Sequence, residues 1–175
     1  MAPMTKRERV LRTICFEETD RTPLYDLLQN DAVIEHYTGE RLTVENGERL
    51  QCLAIGRTLD MVRAIGGPSA PGAYMQENGL RIRRLRWTSW IEERPWHDMP
   101  GLVEWIKGEI KRTNAFVYDR AYADALHQRI EGWLALFAQA DPTGRNDPTV
   151  FVLESGVGLT EMYWQTDIQD FSYLL

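Results

Sequence analysis

Two carboxylates lie at or near the ends of segments that the sequence predicts as buried strands. Asp26 lies near the end of the segment 24–28, and Glu154 directly follows 149–153. At a strand end, Asp26 could anchor a cationic or hydrogen-bonding ligand group, and Glu154 could act as a general base or bind a cation. Each has a structural alternative: Asp26 would hydrogen-bond the neighbouring turn, and Glu154 would pair with an arginine. These two residues are the candidate catalytic groups.

One short stretch of the chain is rich in arginine: Arg81, Arg83, Arg84 and Arg86. Alternation along a strand places Arg81 and Arg83 on one face and Arg86 on the other. The group could bind an anionic substrate, but a binding patch would use a single face. The favoured interpretation is therefore a solvated hairpin in which the arginines pair with Glu92 and Glu93.

The predicted elements alternate between helices and strands. A capping box formed by Thr5 and Glu8 starts a first helix, which carries an apolar stripe of Val10, Leu11, Ile14 and Cys15. Strands are predicted at 23–28, 59–65 and 149–153, with helices between them at 31–37, 43–55, 99–111 and 118–139. This order favours a parallel sheet. Residues 68–97 break the order, and the alternation over 80–92 predicts an inserted antiparallel hairpin.

Composition and charge exclude several classes of protein. Of the 175 residues, 43% are apolar and 26% are charged, which argues against disorder. The net charge of −6 argues against general affinity for nucleic acid or for an anionic membrane. The sequence has neither a membrane-span pattern nor a signal-peptide pattern, so a cytoplasmic location is expected. Two cysteines without metal-binding spacing, Cys15 and Cys52, are predicted to be small core residues.

The opening of the chain resembles the N-terminus of the uroporphyrinogen decarboxylase superfamily. The shared features are the helix, the Asp-Arg-Thr-Pro corner at 20–23 and the following strand. The closing segment 151–175 resembles a later strand, turn and helix of the same superfamily. Its members fold as (β/α)8 barrels of about 250 residues. The resemblance therefore implies that residues 1–175 form a single α/β domain, the N-terminal half of such a barrel, with about three parallel strands and the insertion at about 68–97.

The resemblance also implies where a substrate would bind and which reaction is disfavoured. Decarboxylases of the superfamily carry arginines around the Gln29 position and an aspartate after the second strand. Here the glutamine is kept, both arginines are lost, and the aspartate position falls near Gly66. The candidate substrate-binding residues are Gln29, Arg63, Tyr163 and Trp164. Guanidinium groups pair well with the carboxylates of a tetrapyrrole, so their loss argues against decarboxylation of a porphyrinogen.

Corrinoid-dependent methyl transfer is the preferred function that the resemblance implies. Methyltransferases of the superfamily hold zinc through ligands of the C-terminal half of the barrel, so zinc and a corrinoid are possible for a full-length parent enzyme. The present chain shows no cofactor residues and is expected to be inactive alone. A corrinoid, a thiol or a tetrapyrrole would be the small-molecule substrate. The alternatives are a true uroporphyrinogen decarboxylase and a non-catalytic half-barrel that binds another protein.

Assembly provides the first prediction. Three parallel strands without the rest of a barrel leave unpaired edges, and they leave Leu24, Val62 and Phe151 without an opposite wall. We therefore expect the 175-residue chain to self-associate, to pair with a complementary half-barrel, or to be marginally stable. Size-exclusion chromatography with light scattering measures this. A monodisperse monomer with a sharp cooperative melt would contradict the half-barrel interpretation.

Overall fold

A computed structural model describes residues 3–153 and 163–174 of the chain. The chain divides into two compact units. The first unit comprises Met1–Pro68 and Asp119–Glu154, and the second comprises Ser69–Tyr118 and Ser155–Leu175. The architecture is mixed α/β, with a parallel sheet in the first unit and an antiparallel sheet in the second. The insertion expected at about 68–97 belongs to the second unit.

The elements of the first unit are α1 (Lys6–Ile14), α2 (Asp31–Thr38), α3 (Gly47–Thr58), β1 (Met61–Val62), α5 (Arg120–Gln139) and β5 (Val150–Phe151). The elements of the second unit are β2 (Gly72–Met75), β3 (Arg81–Arg84), β4 (Ser89–Glu93), α4 (Met99–Ala115) and α6 (Ile168–Leu174). In the described parts of the chain, no helix is both long enough and apolar enough to cross a membrane.

Three extended segments of the first unit lie side by side in parallel, in the order of the chain. Tyr25 forms an isolated parallel bridge with Met61, and β1 pairs in parallel with β5. Backbone hydrogen bonds tie the segments together: the Asp60 N–H donates to the Leu24 carbonyl, and the Val150 N–H donates to the Asp60 carbonyl, both at 2.9 Å. The parallel arrangement expected from the sequence is therefore present.

The strands are shorter than the predicted ranges 23–28, 59–65 and 149–153. The first is reduced to the bridge at Tyr25, since Pro23 precedes it and Leu28 takes a left-handed conformation with φ of 51°. The second ends at Val62, just before a loop with Gly67 at φ of 65°. The described residues form no closed barrel, because the parallel sheet contains only β1 and β5.

The apolar sides of two helices, α1 and α5, are only partly buried. On α1, Val10 is buried, whereas Leu11 is 51% and Ile14 is 64% exposed. The predicted burial of Cys15 is wrong, because it is the exposed C-cap of α1, whereas Cys52 is buried as expected. On α5, the C-terminal half packs inward and the N-terminal half is exposed. A periodic stripe therefore identified these helices but not how far along each helix the core extends.

Gly56 allows α3 to pack closely on α5. A Cβ at this position would lie 2.6 Å from the Phe137 carbonyl oxygen and 2.8 Å from its Cα. The predicted helix 43–55, which treats Gly56 as the stop that follows it, is wrong at this end, because α3 continues to Thr58. At the other end of α3, the Trp133 indole N–H donates to the Glu48 carboxylate at 2.7 Å. The helix pair is thus joined by backbone contact at one end and by a polar contact at the other.

The second unit is built around a three-stranded antiparallel sheet of order β2-β3-β4. The predicted hairpin is confirmed, and β2 adds a third strand. Its core consists of Leu80, Ile82, Trp96 and Leu102. Asp98 caps α4 by accepting a hydrogen bond from the Gly101 N–H at 2.8 Å. The Trp96 indole N–H donates to Asp170 of α6 at 2.7 Å, which attaches this helix to the unit.

Substitution of Gly56 tests the helix contact. We expect Gly56→Ala to lower the free energy of unfolding by about 1–3 kcal/mol, because the new methyl group meets backbone rather than a movable side chain. The measurement is urea unfolding followed by circular dichroism. Gly132→Ala on α5 is the matched control, since nothing lies within 4 Å of the added Cβ. The control should be neutral or slightly stabilising, and equal effects of the two variants would contradict the contact.

Candidate functional site

A buried carboxylate joins the amino ends of the parallel segments. The Asp60 side chain, which is fully buried, precedes β1. It accepts hydrogen bonds from the Arg9 guanidinium at 2.6 Å, from Arg21 at 2.5 and 2.9 Å, and from the Leu24 N–H at 2.7 Å. One carboxylate therefore connects α1, the corner at 20–23, the first extended segment and β1.

Asp20 extends this network on the other side of Arg9. The Arg9 guanidinium donates to the Asp20 carboxylate from Nε at 2.6 Å and from Nη2 at 2.8 Å, a bidentate geometry. The Met4 N–H donates to the same carboxylate at 2.9 Å. Asp20 and Arg21 of the corner motif thus hold the chain together at the amino ends of the strands. In parallel α/β folds this end contributes stability rather than catalysis.

The network lowers the pKa of both carboxylates. Burial raises the pKa of Asp60, but hydrogen bonds from Arg21 and the Leu24 N–H, with the charges of Arg21 and Arg9, bring it below its ordinary value of 3.8. The hydrogen bonds from Arg9 hold the pKa of Asp20 far below its usual range. Both groups are therefore ionised at neutral pH and are not available as general acids.

Lys6 makes a second buried link at the start of α1. Its ammonium group donates to the Gly56 carbonyl at 2.5 Å and to the Thr149 hydroxyl at 3.2 Å. That hydroxyl in turn donates to the Leu59 carbonyl at 2.8 Å. Burial lowers the pKa of Lys6, although the charges of nearby aspartates, Asp141 foremost, act in the opposite direction. Lys6 therefore ties α1 to the end of α3 and to the residue preceding β5.

At the carboxyl ends of the segments, Gln51 connects two loops. Its side-chain amide N–H group donates to the Leu27 carbonyl at 3.1 Å and to the Leu28 carbonyl at 3.4 Å. Its amide oxygen accepts from the Gly66 N–H at 3.2 Å and from the Gly67 N–H at 2.9 Å. A single buried side chain of α3 thus positions the loops that follow the first extended segment and β1.

A small cleft opens at these carboxyl ends. Its volume is about 270 Å³, and its lining residues are Tyr25, Met61, Arg63, Val152 and Leu153. Each of the three parallel segments contributes to it, directly or through the residues that follow. Its walls are mainly apolar, with one guanidinium and one phenol group. In α/β proteins with parallel strands, ligands bind at this end of the strands, so this cleft is the candidate functional site.

The predicted site residues are distributed over both units. Arg63 lines the cleft. Asp26 follows Tyr25 and accepts a hydrogen bond from the Leu27 N–H at 2.7 Å, which is the structural alternative considered for it. Gln29 is exposed in the loop that Gln51 holds. Glu154 lies outside the described residues. Tyr163 and Trp164 belong to the second unit.

The predicted pairing with Glu92 and Glu93 is present for two of the four arginines, Arg81 and Arg83, on the second unit. Arg83 pairs with Glu92 at 2.5 Å, and Arg81 pairs with Glu92 and Glu93 at 3.2 Å each. Hydrogen bonds from Arg83 lower the pKa of Glu92 below its ordinary value. These two arginines are therefore neutralised by neighbouring carboxylates, in agreement with the solvated-hairpin interpretation.

The residues that organise the first unit do not stand out in the sequence as chemical groups. Asp60 and Gln51 lie within apolar stretches, which is a detectable signal, since a buried polar side chain requires a partner. Their partners lie far away in the chain, so the pairing itself could not be deduced. The sequence gives no sign that Lys6 is buried, because a lysine in the first turn of a helix is usually solvated.

Comparison with protein-family models, with curated proteins and with solved structures found no match to this chain. Within residues 3–153 and 163–174, no group of three or more His, Cys, Asp or Glu side chains could hold a metal ion. The described residues therefore provide no zinc site, and the resemblance places the zinc ligands in the C-terminal half of a barrel.

Removing the charge of Asp60 tests the network. We expect Asp60→Asn to lower the free energy of unfolding by about 3–5 kcal/mol at pH 7, because Arg9 stays buried with a weaker partner. Asp26→Asn is the matched control, since Asp26 is exposed and makes only a local hydrogen bond. Urea unfolding at pH 7 measures the difference. If Asp60→Asn lowered the free energy of unfolding no more than the control does, the network around Asp60 would not stabilise the first unit.

The free energy of unfolding of the same variants should depend on pH. The pKa of Asp60 is lower in the folded chain than its ordinary value, so its stabilisation is present above that value and is lost as the pH falls. Wild-type stability should therefore decline from about pH 5 towards pH 3, and the gap between wild type and Asp60→Asn should narrow. Urea unfolding at pH 7, 4 and 3 tests this. If the difference in stability between wild type and Asp60→Asn instead widened on acidification, folding would not lower the pKa of Asp60.

Proposed function

We propose that this chain is the N-terminal part of a uroporphyrinogen decarboxylase-like barrel enzyme, with its ligand site at the cleft around Arg63. The observation that supports this most is the order of the parallel segments. The segment at Tyr25, β1 and β5 are neighbours in chain order. Sequential neighbours are the pattern of a (β/α)8 barrel, whereas a doubly wound sheet starts from its middle and reverses its strand order.

The open edge of β5 supports the same proposal. The N–H groups of Val150 and Val152 donate to the Asp60 and Val62 carbonyls of the neighbouring segment. Because backbone groups alternate along a strand, those of Phe151 point to the other side, where the described residues supply no further strand. A cleft of about 570 Å³, lined by residues including Leu11, Leu134 and Phe151, lies alongside β5. A fourth strand with its helix would extend the sheet here.

Methyl transfer of the corrinoid-dependent kind is the reaction that we prefer for the parent enzyme. A corrinoid supplies a transferable methyl group when it is bound. The chain's own contribution would be to bind and orient: Met61, Val152 and Leu153 would offer apolar surface to the ligand, and Arg63 would donate hydrogen bonds to its polar substituents. A cleft of about 270 Å³ is slightly below the usual range for ligand pockets, which suits one wall of a larger site.

Binding of hydroxocobalamin tests this proposal on the protein as it is. We expect equilibrium dialysis to show binding to the chain, and Arg63→Gln to weaken it about tenfold through loss of charged hydrogen bonds. Arg83→Gln is the matched control, because Arg83 is paired with Glu92 on the other unit. Absence of binding, or equal weakening by both variants, would overturn the proposal.

Decarboxylation is the alternative chemistry and is tested separately. Incubation of the chain with uroporphyrinogen should give no coproporphyrinogen, because the paired arginines and the aspartate after the second strand are missing from the sequence. High-performance chromatography of the oxidised porphyrins measures the product. Turnover above the protein-free control would favour the decarboxylase over the methyltransferase.

A non-catalytic interaction module remains the second candidate, and the free edge of β5 is the observation in its favour. Exposed strand edges bind further strands by backbone hydrogen bonds. In this alternative the chain would bind a partner strand along β5 and would bind neither hydroxocobalamin nor uroporphyrinogen. The dialysis experiment therefore separates it from the preferred function.

A further inference from the structure

Four arginines of the second unit fall into two groups with different partners. Arg81 and Arg83 are neutralised by the carboxylates of β4. Arg84 and Arg94 form no ion pair with any residue that the structure describes. Because side chains alternate along β3, Arg84 lies on the opposite face from Arg81 and Arg83. The second unit thus carries two guanidinium charges without a counter-charge among the described residues.

These two arginines are held in place by neutral groups. Arg84 lies over the Tyr74 ring, 4.9 Å from its centroid, and donates to the Tyr74 hydroxyl at 3.2 Å. Arg94 donates to the Gln165 carbonyl at 3.3 Å and to the Thr166 carbonyl at 3.0 Å. Carbonyl and phenol oxygens orient a guanidinium without cancelling its charge. Each guanidinium has five N–H donors, so both retain donors for a ligand.

A cleft of about 350 Å³ lies beside these groups. Its lining residues are Tyr74, Gln76, Ile82, Ser89, Trp90, Ile91, Arg94 and Trp164. The Trp164 side chain is 69% exposed, and those of Tyr74 and Trp90 are also exposed. Tyr74 belongs both to this cleft and to the contact with Arg84. The cleft therefore combines aromatic surface, small polar groups at Gln76 and Ser89, and unneutralised positive charge.

We propose that this cleft of the second unit binds a small aromatic carboxylate. The carboxylate would accept charge-assisted hydrogen bonds from Arg94, and the ring would pack against Trp164 and Tyr74. A guanidinium matches the planar, bidentate geometry of a carboxylate, and a volume of about 350 Å³ lies in the small-ligand range. A long anionic polymer is disfavoured, because the whole chain carries a net charge of −6.

Isothermal titration of the chain with 2-naphthoate tests this site, with the neutral isostere 2-naphthamide as the matched ligand. We expect 2-naphthoate to bind and 2-naphthamide to bind about tenfold more weakly, because the amide forfeits the charged hydrogen bonds. Arg94→Gln should reduce the affinity for 2-naphthoate by about the same factor. Arg83→Gln should leave it unchanged, since Arg83 is already paired with Glu92.

A second variant, Arg84→Gln, separates an effect on ligand binding from an effect on folding. Arg94 also holds backbone carbonyls, so Arg94→Gln could disturb the local fold, whereas Arg84 contacts only a side chain. Arg84→Gln should weaken 2-naphthoate binding severalfold with an unchanged circular dichroism spectrum. Equal affinity for the two ligands, absence of 2-naphthoate binding, or equal weakening by Arg83→Gln would each overturn the proposal.

Discussion

The first unit depends on the burial of one carboxylate, that of Asp60, between two guanidinium groups and a backbone N–H. An isolated charge in the interior would be prohibitively costly. Asp60 therefore requires both Arg9 and Arg21 in place, and this requirement brings α1 and the corner at 20–23 to the amino end of β1. Because Asp60 also donates its own N–H to Leu24 and accepts from Val150, the same residue sets the parallel pairing.

The opposite end of the unit follows from this arrangement. Once the amino ends are joined, the three parallel segments run in one direction and the residues that follow them converge on the cleft at Tyr25, Arg63 and Leu153. Gln51 then limits the freedom of two of the connecting loops by satisfying backbone groups on both. Stability and ligand binding are thus assigned to opposite ends of the same strands, as is usual for parallel α/β architectures.

How much of this could be predicted from the sequence differs between the elements. Capping and periodicity located the helices and the arginine hairpin, because these signals are local. No local signal shows how much of an apolar stripe is buried: Leu11 and Ile14 follow the helical period of Val10 and yet are exposed. The role of Gly56 was misjudged because a glycine near a helix end fits a stop as well as a close helix contact. The corner at 20–23 was recognised as a motif, but its partner Asp60 is about 40 positions away in the chain, beyond any local signal.

Amide hydrogen exchange measured by NMR tests the central claim most directly, namely that the three parallel segments form one cooperative unit. The relevant amides are those of Asp60, Val150 and Val152, each bonded to a neighbouring segment. All three amides should open with the free energy of global unfolding of the first unit. Fast exchange at Val150 and Val152, while α3 and the C-terminal half of α5 stay protected, would contradict it, because the segments would then not form a sheet.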